Sequence, residues 1–128
     1  IDLGLARADD AAIVAGDAES LRILLANLLS NALRYTPQGG RVDVSCGMED
    51  GKVVLEIIDN GPGIPESERE RVFDRFYRRP GEQEPGSGLG LSIVKAIATR
   101  HGASVRLESA PDCGLRVRVS FPPTPPTP

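Results

Sequence analysis

The segment Asp59-Asn60-Gly61-Pro62-Gly63-Ile64 follows directly on Val53-Val54-Leu55-Glu56-Ile57-Ile58, and the junction between the two organises the reading of the chain. An apolar, β-branched run of this kind reads as a strand with at least one buried face, and the Asp-Asn-Gly-Pro-Gly after it ends the strand. The Asp59 carboxylate then emerges at the sheet edge, where little water competes for it. It is placed to accept a hydrogen bond from an exocyclic amine, while Gly61 and Gly63 let a planar ligand approach the backbone. Taken alone, the segment reads at least equally well as an ordinary turn.

Working upstream, Asp50-Gly51 separates this strand from Val42, Val44 and Cys46, which alternate with Arg41, Asp43 and Ser45. That pattern is a hairpin with one face buried. Before it, Leu21, Leu25, Leu28 and Ala32 recur at helical spacing, with Asp17 as N-cap and Pro37 ending the run, so residues 17–35 read as a helix. Residues 1–10 read as a short extended piece and turn, and residues 11–14 as a strand. Downstream, residues 65–75 look helical, residues 79–87 read as a mobile loop, and residues 89–100 return to helical spacing before His101-Gly102, with Gly102 at C′. Residues 105–109 and 115–121 alternate again as a second hairpin around residues 111–114. The expectation is an α+β domain: a two-layer α/β sandwich with a mixed, mainly antiparallel sheet, helices on one face and solvent on the other. It spans residues 1–121, and the Pro-rich residues 122–128 form a disordered tail.

Composition narrows the chemistry. With 128 residues, 40% of them hydrophobic, the chain suits one domain, and its net charge of −3 argues against a nucleic-acid partner. A single histidine excludes imidazole-rich metal cages, and two cysteines are no disulfide framework; Cys46 and Cys113 read as reduced thiols of a cytoplasmic domain. No apolar run is long enough to span a bilayer.

Three further segments carry polar chemistry. Asn27, Asn31 and Arg34 are spaced i, i+4, i+7 and share one stripe of the first helix. Their amides read either as caps on neighbouring backbone or as oxygen ligands for Mg²⁺ shared with phosphate and water. Gly86-Ser87-Gly88-Leu89-Gly90-Leu91 leads into a helix whose free N–H groups favour a polyphosphate, although the spacing is that of neither a Rossmann fingerprint nor a P-loop. Between these segments, Phe73 and Phe76 pin a helix end to the core, and Arg78 and Arg79 stand at the mouth of the loop, within reach of a terminal phosphate.

In this order, the segments resemble the four boxes of the catalytic ATP-binding domain of sensor histidine kinases, over residues 13–121. Asn27 to Tyr35 resembles the N box, Asp59 to Gly63 the G1 box, Phe73 to Phe76 the F box and Gly86 to Gly90 the G2 box. The resemblance implies the left-handed, Bergerat-type ATP-binding sandwich shared with gyrase and a heat-shock chaperone. It implies that Asn31 coordinates Mg²⁺ at the ATP phosphates with Asn27 beside it, that Arg34 and Arg78 neutralise phosphate charge, and that Tyr35 lies against adenine or ribose. By the same resemblance Asp59 accepts from the adenine N6 amine, and Gly61, Gly63, Ile64, Phe76, Ser87, Gly88, Leu89 and Gly90 complete the nucleotide site. Asn31, Arg34 and Arg78 would be the catalytic residues.

The resemblance also implies the reaction: donation of the γ-phosphate to a histidine on a separate dimerisation domain, with a response regulator receiving it indirectly. Such a parent would be a homodimer in the bacterial inner membrane, this domain lying in the cytoplasm and being monomeric by itself. His101, at a helix end before Gly102, reads as structural and not as the phosphoacceptor. Hydrolases of the superfamily carry a Glu one turn before the metal-binding Asn, and Asn27 stands there instead, a poor general base. Gly114-Leu115 departs from the Gly-Thr more usual in the family. Two other readings share these boxes: a serine protein kinase of the anti-sigma type, and an interaction module with a degenerate site.

Overall fold

The computed structural model describes residues 2–8, 17–36, 38–73, 90–110 and 114–122, with only the backbone given for 2–8 and no side-chain placement for Tyr35. The strand expected at 11–14, the loop expected at 79–87 and the tail expected after Pro122 lie outside these residues. The elements run β1 (Asp2–Ala8), α1 (Ala18–Tyr35), β2 (Arg41–Glu49), β3 (Lys52–Asp59), α2 (Gly90–Arg100), β4 (Ser104–Ser109) and β5 (Leu115–Phe121). The strands form one sheet in the order β1-β2-β3-β5-β4. β1 is parallel to β2 and every other pairing is antiparallel, which gives the mixed, mainly antiparallel sheet expected from the sequence.

Local chemistry accounts for most of these boundaries. Asp17 caps α1 by accepting from Ser20 N–H and Ser20 Oγ, at 3.3 and 2.6 Å. The β2–β3 register, Glu49 opposite Lys52, leaves a two-residue loop in which Asp50 and Gly51 both take positive φ, as the favoured hairpin turn requires. Leu24, Leu28 and Ala32 of α1 and Leu91, Val94, Ile97 and Ala98 of α2 bury against Val42, Ile57, Val117 and Val119 of the sheet. The opposite sheet face carries a charge ladder in which Arg118 reaches Glu49 and Glu56, and Arg116 reaches Glu56 and Glu108.

Two expectations change. Residues 1–10 contain not a short extended piece but a seven-residue strand; parallel pairing with β2 holds it, and such long-range pairing leaves no local signal. Residues 65–75 do not form a continuous helix. Two single turns, Glu66–Glu68 and Arg71–Phe73, stand there instead, with Val72 buried in the core. Leu28 and Ala32 of the expected α1 stripe are buried, but Leu24, only 1% exposed, precedes them in the core, whereas Leu21 and Leu25 are half-buried at its flank.

Candidate functional site

Asp59 ends β3 and is 5% exposed, one of three buried polar residues among those described. Its Oδ1 accepts from Gly61 N–H at 3.0 Å and from Leu115 N–H at 3.4 Å. Both bonds end on the same oxygen, which leaves Oδ2 free of them. Burial pushes the carboxyl above its ordinary value, and the two N–H groups oppose that rise. The Leu115 contact requires β5 to start hard against β3. A Cβ on Gly114 would stand 1.7 Å from the Asp59 carbonyl oxygen, so only glycine fits.

The loop after Asp59 is fastened at several points, two of them, Arg69 and Ser109, on residues that the sequence did not single out. Asn60 Oδ1 accepts from Arg41 N–H at 2.7 Å, and Asn60 N–H donates to Arg41 O at 3.2 Å, tying the loop to the start of β2. Gly63 takes φ +72°, a conformation that favours glycine. Ile64 is buried, and its carbonyl accepts from Arg69 Nε at 3.0 Å, while the same guanidinium donates to Ser109 Oγ at 2.8 Å. Arg69 and Ser109 carry no motif, because their meeting depends on a 40-residue separation.

On α1, Asn27, Asn31 and Arg34 are all half-buried, as one shared stripe requires. Asn27 Nδ2 donates to Ile23 O at 2.8 Å, and its Oδ1 is 3.6 Å from where a Gly90 Cβ would stand, at the first turn of α2. The Asn box and the end of the glycine-rich box therefore meet. Tyr35 is the last residue of α1. Phe73 packs at the core margin under Lys95, whose Nζ lies 5.3 Å from the ring centroid. Phe76, Arg78, Ser87, Gly88, Leu89 and Cys113 lie outside the described residues. A cleft of about 400 Å³ lined by Gly63, Ile64, Ser109 and Gly114 contains neither Asn27 nor Asn31, so it is separate from the α1 stripe.

A family model describing the histidine kinase-, DNA gyrase B- and HSP90-like ATPases matches residues 16–125. The chain belongs to this family. Among similar solved structures is the mycobacterial sensor histidine kinase MprB, 36% identical with a TM-score of 0.86, covering 94% of this chain and 82% of that one. The ATP-binding domain of PrrB from Mycobacterium tuberculosis is 31% identical with a TM-score of 0.75, covering 98% and 83%. Among curated proteins, the signal transduction histidine-protein kinase/phosphatase MprB of Mycobacterium sp. (strain KMS) is 46% identical over 110 residues, which is 84% of this chain and 21% of that protein. The chain thus spans about a fifth of the length of the curated relatives it matches. Its fold and sequence are those of the catalytic ATP-binding domain of histidine kinases, so ATP is the ligand its family membership assigns. Among the described residues no helix is long and apolar enough to cross a membrane.

Proposed function

We propose that this histidine kinase-type domain binds Mg·ATP between the Asn27–Asn31 stripe and the glycine-rich entry to α2, and supplies the γ-phosphate to a histidine of a separate dimerisation domain. The observation that carries this reading is the buried Asp59 carboxylate, with Oδ1 taken by two backbone N–H groups. That leaves one acceptor oxygen in a site dry enough to discriminate, matched to the amine of adenine and mismatched to a base whose O6 can only accept.

Among the described residues, no group of three or more His, Cys, Asp or Glu is placed to hold a metal ion. Mg²⁺ fits as an ion that shares one amide oxygen, from Asn31, with the phosphates and water. When bound, it would neutralise phosphate charge. Asn27, tied to Ile23 and facing Gly90, would hold the amide cluster beside the first turn of α2. Arg34 would add positive charge at the end of α1; Arg78 would do so from the loop, with Tyr35 and Phe76 as walls and Ser87, Gly88, Leu89 and Gly90 offering backbone N–H groups to phosphate. Positioning and charge neutralisation would provide most of the catalytic effect. The dimerisation domain, a response regulator and an inner-membrane parent are the partners and place this reading calls for.

The test is a titration with a fluorescent ATP analogue, with and without Mg²⁺, on the wild type, Asn31→Ala and Asp59→Ala. Both variants should bind at least about tenfold more weakly, and Asn31→Ala should lose most of the Mg²⁺ dependence. Equal binding by all three would overturn the site. Acid-labile phosphate on an added histidine-bearing partner would support the reaction, and acid-stable phosphate on serine would favour the serine-kinase reading.

A further inference from the structure

His101 uses both ring nitrogens, and one of them joins the two helices. Asp17 N–H donates to His101 Nε2 at 3.2 Å, across 84 residues of sequence, and Nδ1 lies 2.8 Å from Ile97 O. A backbone N–H only donates and a carbonyl only accepts, so the two contacts together select the neutral ring with its hydrogen on Nδ1. His101 is also the last residue before a closed helix end. Gly102, at φ +68°, donates from its N–H to Thr99 O at 3.1 Å, and Ala103 N–H reaches Ala98 O at 2.8 Å. That double closure fastens the end of α2 to the start of β4. The imidazole therefore hangs the first turn of α1 on a rigid corner.

At the other end of the same helix pair, Asn27 stands against Gly90. Leu24, Val94, Ile97 and Ala98 fill the core beneath the pair. The eleven residues of α2 span about 15 Å, and a packed helix of that length moves as a rod. A shift at the His101 end is thus felt at the Asn27 end. We infer that His101 is a positioning residue for the nucleotide site: it fixes α1 against α2 at the remote end, and so sets where the Asn27 amide stands relative to the first turn of α2. The inference rests on the nucleotide reading of Asn27 and Gly90.

Two conservative variants separate the bonds. His101→Asn keeps a donor near the Nδ1 position for Ile97 O but cannot reach Asp17, whereas His101→Gln places an acceptor near the Nε2 position. In nucleotide-free protein, His101→Asn should move the NMR resonances of the Asn27 side-chain amide and speed hydrogen exchange of the α2 amides beyond Val94 several-fold. It should also weaken binding of the fluorescent ATP analogue by about three- to tenfold. His101→Gln should leave the Asn27 resonances in place and stay within about twofold of the wild type in hydrogen exchange and analogue binding, which a general loss of stability would not produce. An unmoved Asn27 resonance in His101→Asn would overturn the inference, as would equal behaviour of the two variants. A wild type that fails to bind the analogue would strike the nucleotide reading instead, and the Asn27 resonance would still decide whether the clamp exists.

Discussion

Replacing Asp59 by Asn should invert the base preference of the site and abolish two pH dependences. The two N–H groups of Gly61 and Leu115 both point at Oδ1, so in Asp59→Asn they select the amide oxygen for that place. The NH₂ group then stands where Oδ2 stood, and a donor meets the donor on adenine N6. Losing a hydrogen bond to a charged acceptor costs about 1.5–3 kcal/mol, or roughly ten- to 150-fold in Kd. Inosine triphosphate, with an acceptor O6 and no exocyclic amine, should gain from the same swap. Competition of ATP and inosine triphosphate against a fluorescent analogue measures both changes in one experiment. Protonation acts on the wild type in the same sense. Because burial raises the Asp59 carboxyl, its proton returns at a higher pH than for an ordinary carboxylate, and with Oδ1 engaged that proton belongs on Oδ2. Adenine affinity should therefore fall as pH falls through the raised value. Stability runs the other way: the folded state binds the proton more tightly than the unfolded chain does, so the Asp59 contribution to stability decreases as pH rises from 3.8 through the raised value. In Asp59→Asn both dependences vanish. An unchanged preference for ATP over inosine triphosphate would refute the assignment of Oδ2 to the base.

Gly114→Ala should lose more than about 3 kcal/mol of stability in a denaturant or thermal melt, because the new methyl meets backbone and not a movable side chain, whereas Gly90→Ala should fold normally, its Cβ being 3.6 Å from Asn27 Oδ1. Arg69→Met removes the fork between Ile64 O and Ser109 Oγ; the melt should shift by about 1–2 kcal/mol, analogue binding should weaken several-fold, and Arg69→Lys should not restore it, since one ammonium cannot span both acceptors.

What was legible in the sequence is what short-range chemistry encodes. Asp17 as N-cap, the Asp50-Gly51 turn, Gly102 after α2 and the strand character of β2, β3 and β5 each need only neighbouring residues, and each stands where the pattern placed it. The first strand was hidden because its partner is 39 residues away, Asp2 against Arg41, and because its own alternation is interrupted by a register shift between Leu5 and Arg7. The segment after Pro65 misled for a different reason. Acidic residues behind a proline look like a helix start, but Val72 must enter the core while Arg69 reaches back to Ile64, and two short turns meet both demands. In the candidate site, the motif residues stand out in the sequence and most of their supports do not. Asn60, Arg69, Ser109 and Gly114 acquire meaning only when β2, β4 and β5 converge on the loop after β3.

The acids of α1 bear on what the domain does with bound ATP. Activating water for hydrolysis needs a base on the face that meets the phosphate. The only acid within α1 is Glu19, in the first turn and ion-paired with Arg22 at 3.4 Å. Glu19 lies eight residues before Asn27, about 12 Å along the axis, at the end of α1 that His101 holds. Beside the first turn of α2 the α1 side chain is an amide, Asn27, whose NH₂ is already engaged by Ile23 O. An amide can orient and coordinate but cannot take a proton at neutral pH. On the proposed reading, Asn27 beside Gly90 would offer the phosphates an amide and no base from α1, an arrangement suited to a domain that passes its γ-phosphate to an acceptor brought from outside.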